Sequence, residues 1–377
     1  MSITTSRPAL RWGVPVAVLV TVVGGGAAVR TLTASADPSL PARTAAQLLV
    51  DLQTARLDGG SGTVVQQADL GLPALPGLGG QGSSSLQSLA SGSHTMRVWY
   101  AGPERARVAL LGTLGESDVI RDGRDVWVWD SEQNTATHSV LPAEDPGAPH
   151  PATAASALPR TPQEAANAAL AAIDPTTKVT ANGSARVAGR SAYELVLTPR
   201  DTGSLVGRVT LAIDAERHVP LRVAVYPAGS DSTAFKVEFT QVSFARPDPA
   251  LFRFAPPPGT RVTQESADKQ APDAAGAPQQ PTVVGKGWTS VLVAKLPAQG
   301  VGALPGDPQA GNGQTGNAQA GRDGKSFSLD NLPKVSGAWG SGHLLTSRLF
   351  SVLLTDDGRL LAGAVRPEQL YAAAAAR

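Results

Sequence analysis

The chain of 377 residues contains no cysteine. That excludes disulfides, thiolate metal sites, thiol catalysis and the acylated cysteine of a bacterial lipoprotein. Charge of one sign is also missing, since 32 Lys and Arg against 31 Asp and Glu leave a formal charge of +1. No cationic cluster follows a helix face or a loop, and nucleic-acid affinity rests on phosphate neutralisation by such clusters, so no nucleic-acid partner is expected. Catalytic motifs are absent as well: no stretch reads Gly-x-Ser-x-Gly. Gly324-Lys325-Ser326 resembles the end of a phosphate loop, but the earlier glycine position that the loop requires holds Gln319. The five histidines, His94, His138, His150, His218 and His343, lie far apart without ligand spacing and are expected at the surface or in turns. Nothing here argues for an enzyme, a metal or a cofactor.

What the chain does contain is glycine and proline, 40 and 30 residues, with an ordinary 42% of hydrophobic residues. Its length suits two domains joined by linkers. At the amino terminus Arg7 and Arg11 precede an apolar stretch from Gly13 to Val29 and then Ala34-Ser35-Ala36. A basic flank, an apolar core and a small-x-small site are the parts of a secretory signal, while an uncleaved anchor is the other reading. In both cases the body of the chain is expected on the extracytoplasmic side, because positive charge stays inside.

From Ala45 to Leu57, Leu48, Leu49, Leu52 and Leu57 fall near one side of a helix that Gly59-Gly60 would end. Gly62 to Leu70 reads as a strand, and Leu70 to Gly92 has no period, so it is either an inserted loop or an apolar flap. Strands resume around Met96, Val98 and Tyr100, then over 105–111, 118–121, 125–130 and 135–141, with Arg121-Asp-Gly-Arg124 as a hairpin signal. In Asp125-Val-Trp-Val-Trp-Asp130 both alternation sets are apolar, so Trp127 and Trp129 either pack in a core or line a cavity. After a Pro/Ala loop, Thr161, Pro162 and Glu164 open a second helix continued almost wholly by alanine, with Leu170 and Ile173 as its large apolar groups. Such a helix is either a small lid that leaves room behind it or a closely packed cover.

The stretch from Ser184 to Phe254 organises the rest. It carries Tyr193, Leu195, Leu197, then Val209, Leu211, Ile213, then Leu221, Val223, Val225, then Phe235, Val237, Phe239, alternating with Glu194, Arg208, Thr210, Arg222, Lys236 and Glu238. Alternation of this kind is the period of strands with one apolar and one wet face. Asp201-Thr-Gly203, Asp214-Ala-Glu-Arg217 and Gly229-Ser-Asp231 separate the runs and predict antiparallel hairpins. Each large apolar side chain is worth about 1.5–3 kcal/mol when buried, so protein, ligand or partner must cover that face. Asn182-Gly-Ser184 fits the glycosylation pattern, and Asp214 and Glu216 fit a turn.

The order of elements, with Tyr193-Glu-Leu195-Val-Leu197-Thr-Pro199, Val209-Thr-Leu211-Ala-Ile213-Asp214, Val219-Pro220-Leu221-Arg222 and Leu251-Phe252-Arg-Phe254 running into Pro256-Pro-Pro-Gly259, resembles the LolA/RseB (MucB) superfamily over residues 45–263. The resemblance implies an α+β, mainly β fold: a curved antiparallel half-barrel wrapped on helices, with an apolar cavity for acyl chains or a lipoprotein segment. The twelve meander residues, with Trp127 and Trp129, are the expected lining. Expected boundaries are a signal or anchor at 1–36, the main domain at 37–263, a linker at 264–286 and a small α+β domain at 287–377, interrupted by low complexity at 299–324. That second domain joins a strand at 288–296 to a hairpin around Asp356-Asp-Gly358 and a terminal helix after Arg366-Pro367. The resemblance implies two roles, an RseB-like envelope regulator that contacts a membrane anti-sigma factor or a LolA-like carrier; apart from it, a structural envelope protein with a filled core is the third reading.

Overall fold

The computed structural model describes residues 40–72, 88–89, 91–141, 175–265, 282–295 and 332–376. The amino-terminal apolar segment, most of the 70–92 stretch, the alanine-rich helix and the 299–324 stretch lie outside these residues.

The first helix, α1 (Ala45–Thr54), begins at a capping box in which the Thr44 hydroxyl accepts from the Gln47 N–H and the Gln47 side chain accepts from the Thr44 N–H. It stops at Ala55, three residues short of Asp58 and well before the glycines predicted to end it. Gly59 and Gly60 have another role: a Cβ on Gly59 would lie 2.8 Å from the Arg246 backbone, so the chain passes too close there for a side chain.

Six strands follow, β1 (Gly60–Ala68), β2 (Gly92–Tyr100), β3 (Arg105–Leu111), β4 (Glu116–Asp122), β5 (Asp125–Asp130) and β6 (Thr135–Val140), and then six more, β7 (Thr177–Val187), β8 (Arg190–Pro199), β9 (Val206–Asp214), β10 (Pro220–Pro227), β11 (Phe235–Ser243) and β12 (Arg261–Glu265). They form one open sheet in the order β12-β6-β5-β4-β3-β2-β1-β11-β10-β9-β8-β7. Neighbours are antiparallel except β12, which pairs parallel to β6. The fold is therefore mainly β, with two α-helices among the described residues, and the predicted curved, unclosed antiparallel sheet is what the chain forms.

The predicted turns occur where their chemistry placed them. The Asp201 carboxylate accepts from the Gly203 N–H at 2.8 Å, Asp214 accepts from the N–H groups of Glu216 and Arg217, and Gly123 and Gly229 take φ of 63° and 74°. Asp214 has its side chain wholly excluded from solvent and is paired with Arg190. Burial works to raise its carboxyl, but Arg190 and the two backbone N–H groups outweigh it and hold the group below the usual carboxylate range.

The second sheet contains β13 (Thr282–Val284), β14 (Val291–Lys295), β15 (Lys334–Gly337), β16 (Gly340–Thr346), β17 (Ser351–Thr355) and β18 (Arg359–Gly363), and helix α2 (Pro367–Ala375) covers one of its faces through Leu370, Ala373 and Ala374. The hairpin at Asp356–Gly358 and the terminal helix match expectation. Leu344 to Leu354 is two strands with a turn at 347–350 between them, and Trp288 sits in a short 3-10 turn ahead of β14. Two ends of the expected linker are strands, Gln264–Glu265 in β12 and Thr282–Val284 in β13.

The two sheets touch. Ser204 bridges Val365, the Trp288 indole N–H donates to the Thr177 hydroxyl at 2.8 Å, and the 347–350 turn inserts Leu349 and Phe350 against Val206, Val209, Val225, Ala234 and Phe235. Arg348 fastens that turn by donating to Asp69 and to the Ser232 hydroxyl, while its own N–H donates to the Leu70 carbonyl.

Candidate functional site

Strand pairing fixes which side chains share a face, because residues opposite one another in register point the same way. On one face Tyr193 pairs with Ile213, Leu195 with Leu211, Leu211 with Val223, Leu197 with Val209, Val209 with Val225, Val225 with Phe235 and Val223 with Val237. Val237 then faces Gln66, and Phe239 faces Val64, which pairs with Met96. The predicted apolar set is thus one surface. Its reverse carries the predicted polar partners, where Arg222 and Glu194 pair at 3.0 Å and Glu238 stands opposite Arg222.

Two elements cover parts of this face, and its middle is a core of its own. Helix α1 lays Leu48 on Tyr193, Leu195 and Ile213, with Leu197 and Leu211 alongside. The second domain covers Val209, Val225 and Phe235 with Leu349, Phe350 and Trp288. The middle, with Leu221, Val237, Phe239, Val64, Met96, Val98 and Leu110, has Val108, Val223, Leu89 and Phe244 packed beside it.

Beyond that middle the face continues onto strands whose residues were not nominated as lining. Gly62, Val98, Val108, Val119, Val128 and Thr137 stand opposite one another in unbroken register across β1 to β6. Burial falls along this row: Val98 is 7% exposed, Val108 and Val119 are half-buried and Val128 is 38% exposed. Val126 lies on the same face one row away, opposite Arg121. The outer end of this run, from half-buried Val119 to exposed Val128, is the candidate binding surface.

Trp127 and Trp129 are a correction. Trp129 pairs with Asp118 and Trp127 with Ile120, and both belong to the register of Arg107, Trp99 and Arg97, one residue out of step with Val98 and Met96. They therefore lie on the opposite face from the meander set and line no common cavity with it. There they pack on Phe254, with ring centroids 5.3 and 5.9 Å away, and Trp127 stacks on His138 at 4.2 Å. Phe252, 1% exposed, sits beside them in the 3-10 turn Pro249–Phe252 that lies against β3 and β4.

Under that turn Asp118 is wholly buried and bonded to Arg107. Burial pushes its carboxyl up to about 7, assisted by Glu116 and opposed by Arg107. One oxygen of Asp118, the Arg107 Nε and the Trp129 indole nitrogen are buried with no hydrogen-bond partner among the described residues. The expectation for His94 also fails, since it is 3% exposed and its Nε2 lies 2.8 Å from the Ser91 carbonyl oxygen. His218 keeps its expected turn, with φ of 58°. Among the described residues no group of three or more acidic or histidine side chains is arranged to hold a metal ion, and no helix is long and apolar enough to cross a membrane.

The sequence model described as the MucB/RseB N-terminal domain matches residues 85–258. No curated protein sequence matches the chain. Among solved structures the chain is similar to the MucA/MucB complex of Pseudomonas aeruginosa, at 15% identity and a TM-score of 0.41, with 88% of this chain and 96% of that one covered. A conserved protein of Thermus thermophilus is similar at 13% identity and a TM-score of 0.33, covering 58% and 98%. A LolA superfamily protein of Nitrosomonas europaea is similar at 13% and 0.21, covering 56% and 99%. The matched residues take in β2 to β11 and the 3-10 turn after them, so it is the large-sheet part of this chain that is similar to the MucB/RseB N-terminal domain.

Proposed function

We propose that the chain is an exported, non-catalytic envelope regulator of the RseB type, which binds an acyl chain or the lipidated end of a protein on the apolar face of its large sheet and contacts a membrane anti-sigma factor. The observation that carries this reading is the outer end of the valine row: among the described residues the same face is covered by α1, by the second domain and by the core around Val98 and Val108, while Val119 is half-buried and Val128 is exposed. Apolar area in a water-poor trough binds hydrocarbon with few directional contacts. The MucB/RseB match supports the regulatory role. The docked second sheet supports a regulator over a shuttle, because occupancy of the first sheet can alter a surface that the second helps to form.

The test is cross-linking of the full chain in membranes of its host, with and without added fatty acid. Recovery of a single-span anti-sigma factor, with a yield that changes when fatty acid is added, supports the proposal. A chain that cross-links to no such protein and transfers lipid between vesicles is a carrier instead.

A further inference from the structure

The triplet Asn182-Gly-Ser184 lies on β7, which stands at the edge of the large sheet and pairs only with β8 among the described strands. Pairing runs from Thr177 opposite Pro199 to Ala181 opposite Leu195, and resumes at Ser184 opposite Tyr193. Asn182 and Gly183 thus stand against the single residue Glu194, and the extra residue makes a bulge that interrupts the ladder. Gly183 takes φ of 75°, and a Cβ built on it would meet nothing within 4 Å. All residues from Thr180 to Gly183 are exposed. The Asn182 amide donates to one oxygen of Glu194 at 3.2 Å, and the other oxygen accepts from Arg222 at 3.0 Å.

We infer that Asn182 is a site of spontaneous deamidation and isoaspartate formation, where a neutral amide becomes a carboxylate without an enzyme. The Gly183 backbone nitrogen gives its proton to hydroxide and attacks the Asn182 Cγ. The new N–Cγ bond closes a five-membered succinimide, the Cγ–Nδ2 bond breaks, and Nδ2 leaves as ammonia with a proton taken from water. Water then opens the ring. Cleavage of the N–Cγ bond gives aspartate, and cleavage between that nitrogen and the Asn182 carbonyl carbon gives isoaspartate, whose main chain runs through Cγ. Ring closure requires the 182–183 peptide to turn away from the extended form that a ladder imposes, and a glycine on its far side puts no Cβ in the path. Both conditions meet in this bulge, where the ladder is already interrupted and the space around Gly183 is open. The product matters to the sheet, because a carboxylate would replace the donor that faces Glu194, and like charges opposite one another on neighbouring strands repel. Asn134 is the contrast within the same chain: it also has positive φ, 49°, but it precedes Thr135 at the start of β6 and its side chain is tied to Gly259 and Thr260. The assignment stands apart from the acyl-binding reading and holds whether or not the sheet carries a ligand.

The experiment is incubation of the full chain, folded in mildly alkaline buffer and unfolded in guanidinium chloride at the same pH, followed by trypsin and mass spectrometry. The peptide after Lys178 and up to Arg186, Val-Thr-Ala-Asn-Gly-Ser-Ala-Arg, holds no other amide side chain, so the mass gained when NH2 becomes OH reports Asn182 alone. Isoaspartyl methyltransferase then labels the isoaspartate. The folded chain should gain this mass at a rate within about tenfold of the unfolded chain, since an exposed edge bulge needs little opening to react. Asn134 should stay unchanged in the folded chain over the same time. Asn182→Gln, whose longer side chain would have to close a six-membered ring, should abolish both the gain and the label while leaving the fold intact. A folded rate more than about tenfold below the unfolded one means that the ladder protects the site, and overturns the assignment. A gain that persists in Asn182→Gln, an equal gain at Asn134, or a glycan found on Asn182 in chain purified from its host also overturns it.

Discussion

Replacing Leu48 by alanine should loosen the cover over Tyr193, Leu195 and Ile213 without touching the row assigned to ligand. Leu48 is fully buried against Tyr193, Leu195 and Ile213. Removing three buried carbons forfeits roughly 2.4 kcal/mol of transfer free energy. The cavity left behind adds to this, and buried Leu→Ala changes span about 2–5 kcal/mol. Helix α1 has only ten residues, too short to persist without tertiary contacts, so partial collapse onto the sheet holds the loss near the lower end, about 3 kcal/mol. Thr44→Ala removes the capping box and should cost about 1 kcal/mol by comparison. Urea unfolding followed by circular dichroism measures both. Fatty-acid affinity in Leu48→Ala should stay within about twofold of the parent, since the side chains clustered with Leu48 are Tyr193, Leu195 and Ile213 and include none of the valine row. A stability loss below about 1 kcal/mol, or an acyl affinity that collapses in a variant still folded, would refute the assignment of α1 as a structural cover.

At the domain junction the ion pair matters less than the apolar insert. Arg348 and Asp69 are 27% and 75% exposed, so Arg348→Ala should cost under about 1 kcal/mol. Leu349→Ala, at a position 9% exposed, should cost about 2–4 kcal/mol and speed proteolysis between the sheets. Asp118 makes stability depend on pH: its folded carboxyl titrates near 7, above its ordinary value, so the folded state holds the extra proton and stability falls as pH rises from about 4 to 7. Thermal melts of Asp118→Asn should lose that slope and exceed the parent above pH 7; an unchanged slope would show that another group is responsible.

The fold was legible in the sequence wherever one face of a strand is buried and the other is not. Tyr193, Leu195 and Leu197, or Phe235, Val237 and Phe239, announce their strands by alternation, and the structure sets them on a single face. Two edge strands gave no such signal. In β12 all five residues are exposed, so nothing alternates, and β7 is polar over most of its length. Trp127 and Trp129 were legible as a strand but not as a face, because Val126 and Val128 between them are apolar too. Which set turns inward depends on register accumulated over five strands, and a shift of one residue exchanges the faces. The division of the apolar face between α1, the second domain and the open row was also hidden, since it rests on contacts such as Leu349 with Val206, more than a hundred residues apart. The valine row falls one residue to a strand and never appears as a local pattern.

The central claim, that the open part of the apolar face holds an acyl chain, is tested most directly by native mass spectrometry with lipid extraction on the chain purified from a membrane-containing host. The account predicts a co-purifying species with one long acyl chain in the row, lost from Val119→Asp and retained by a folded Leu48→Ala. A parent chain that emerges empty and rejects added fatty acids would contradict it, and would leave the valine row as a surface for protein.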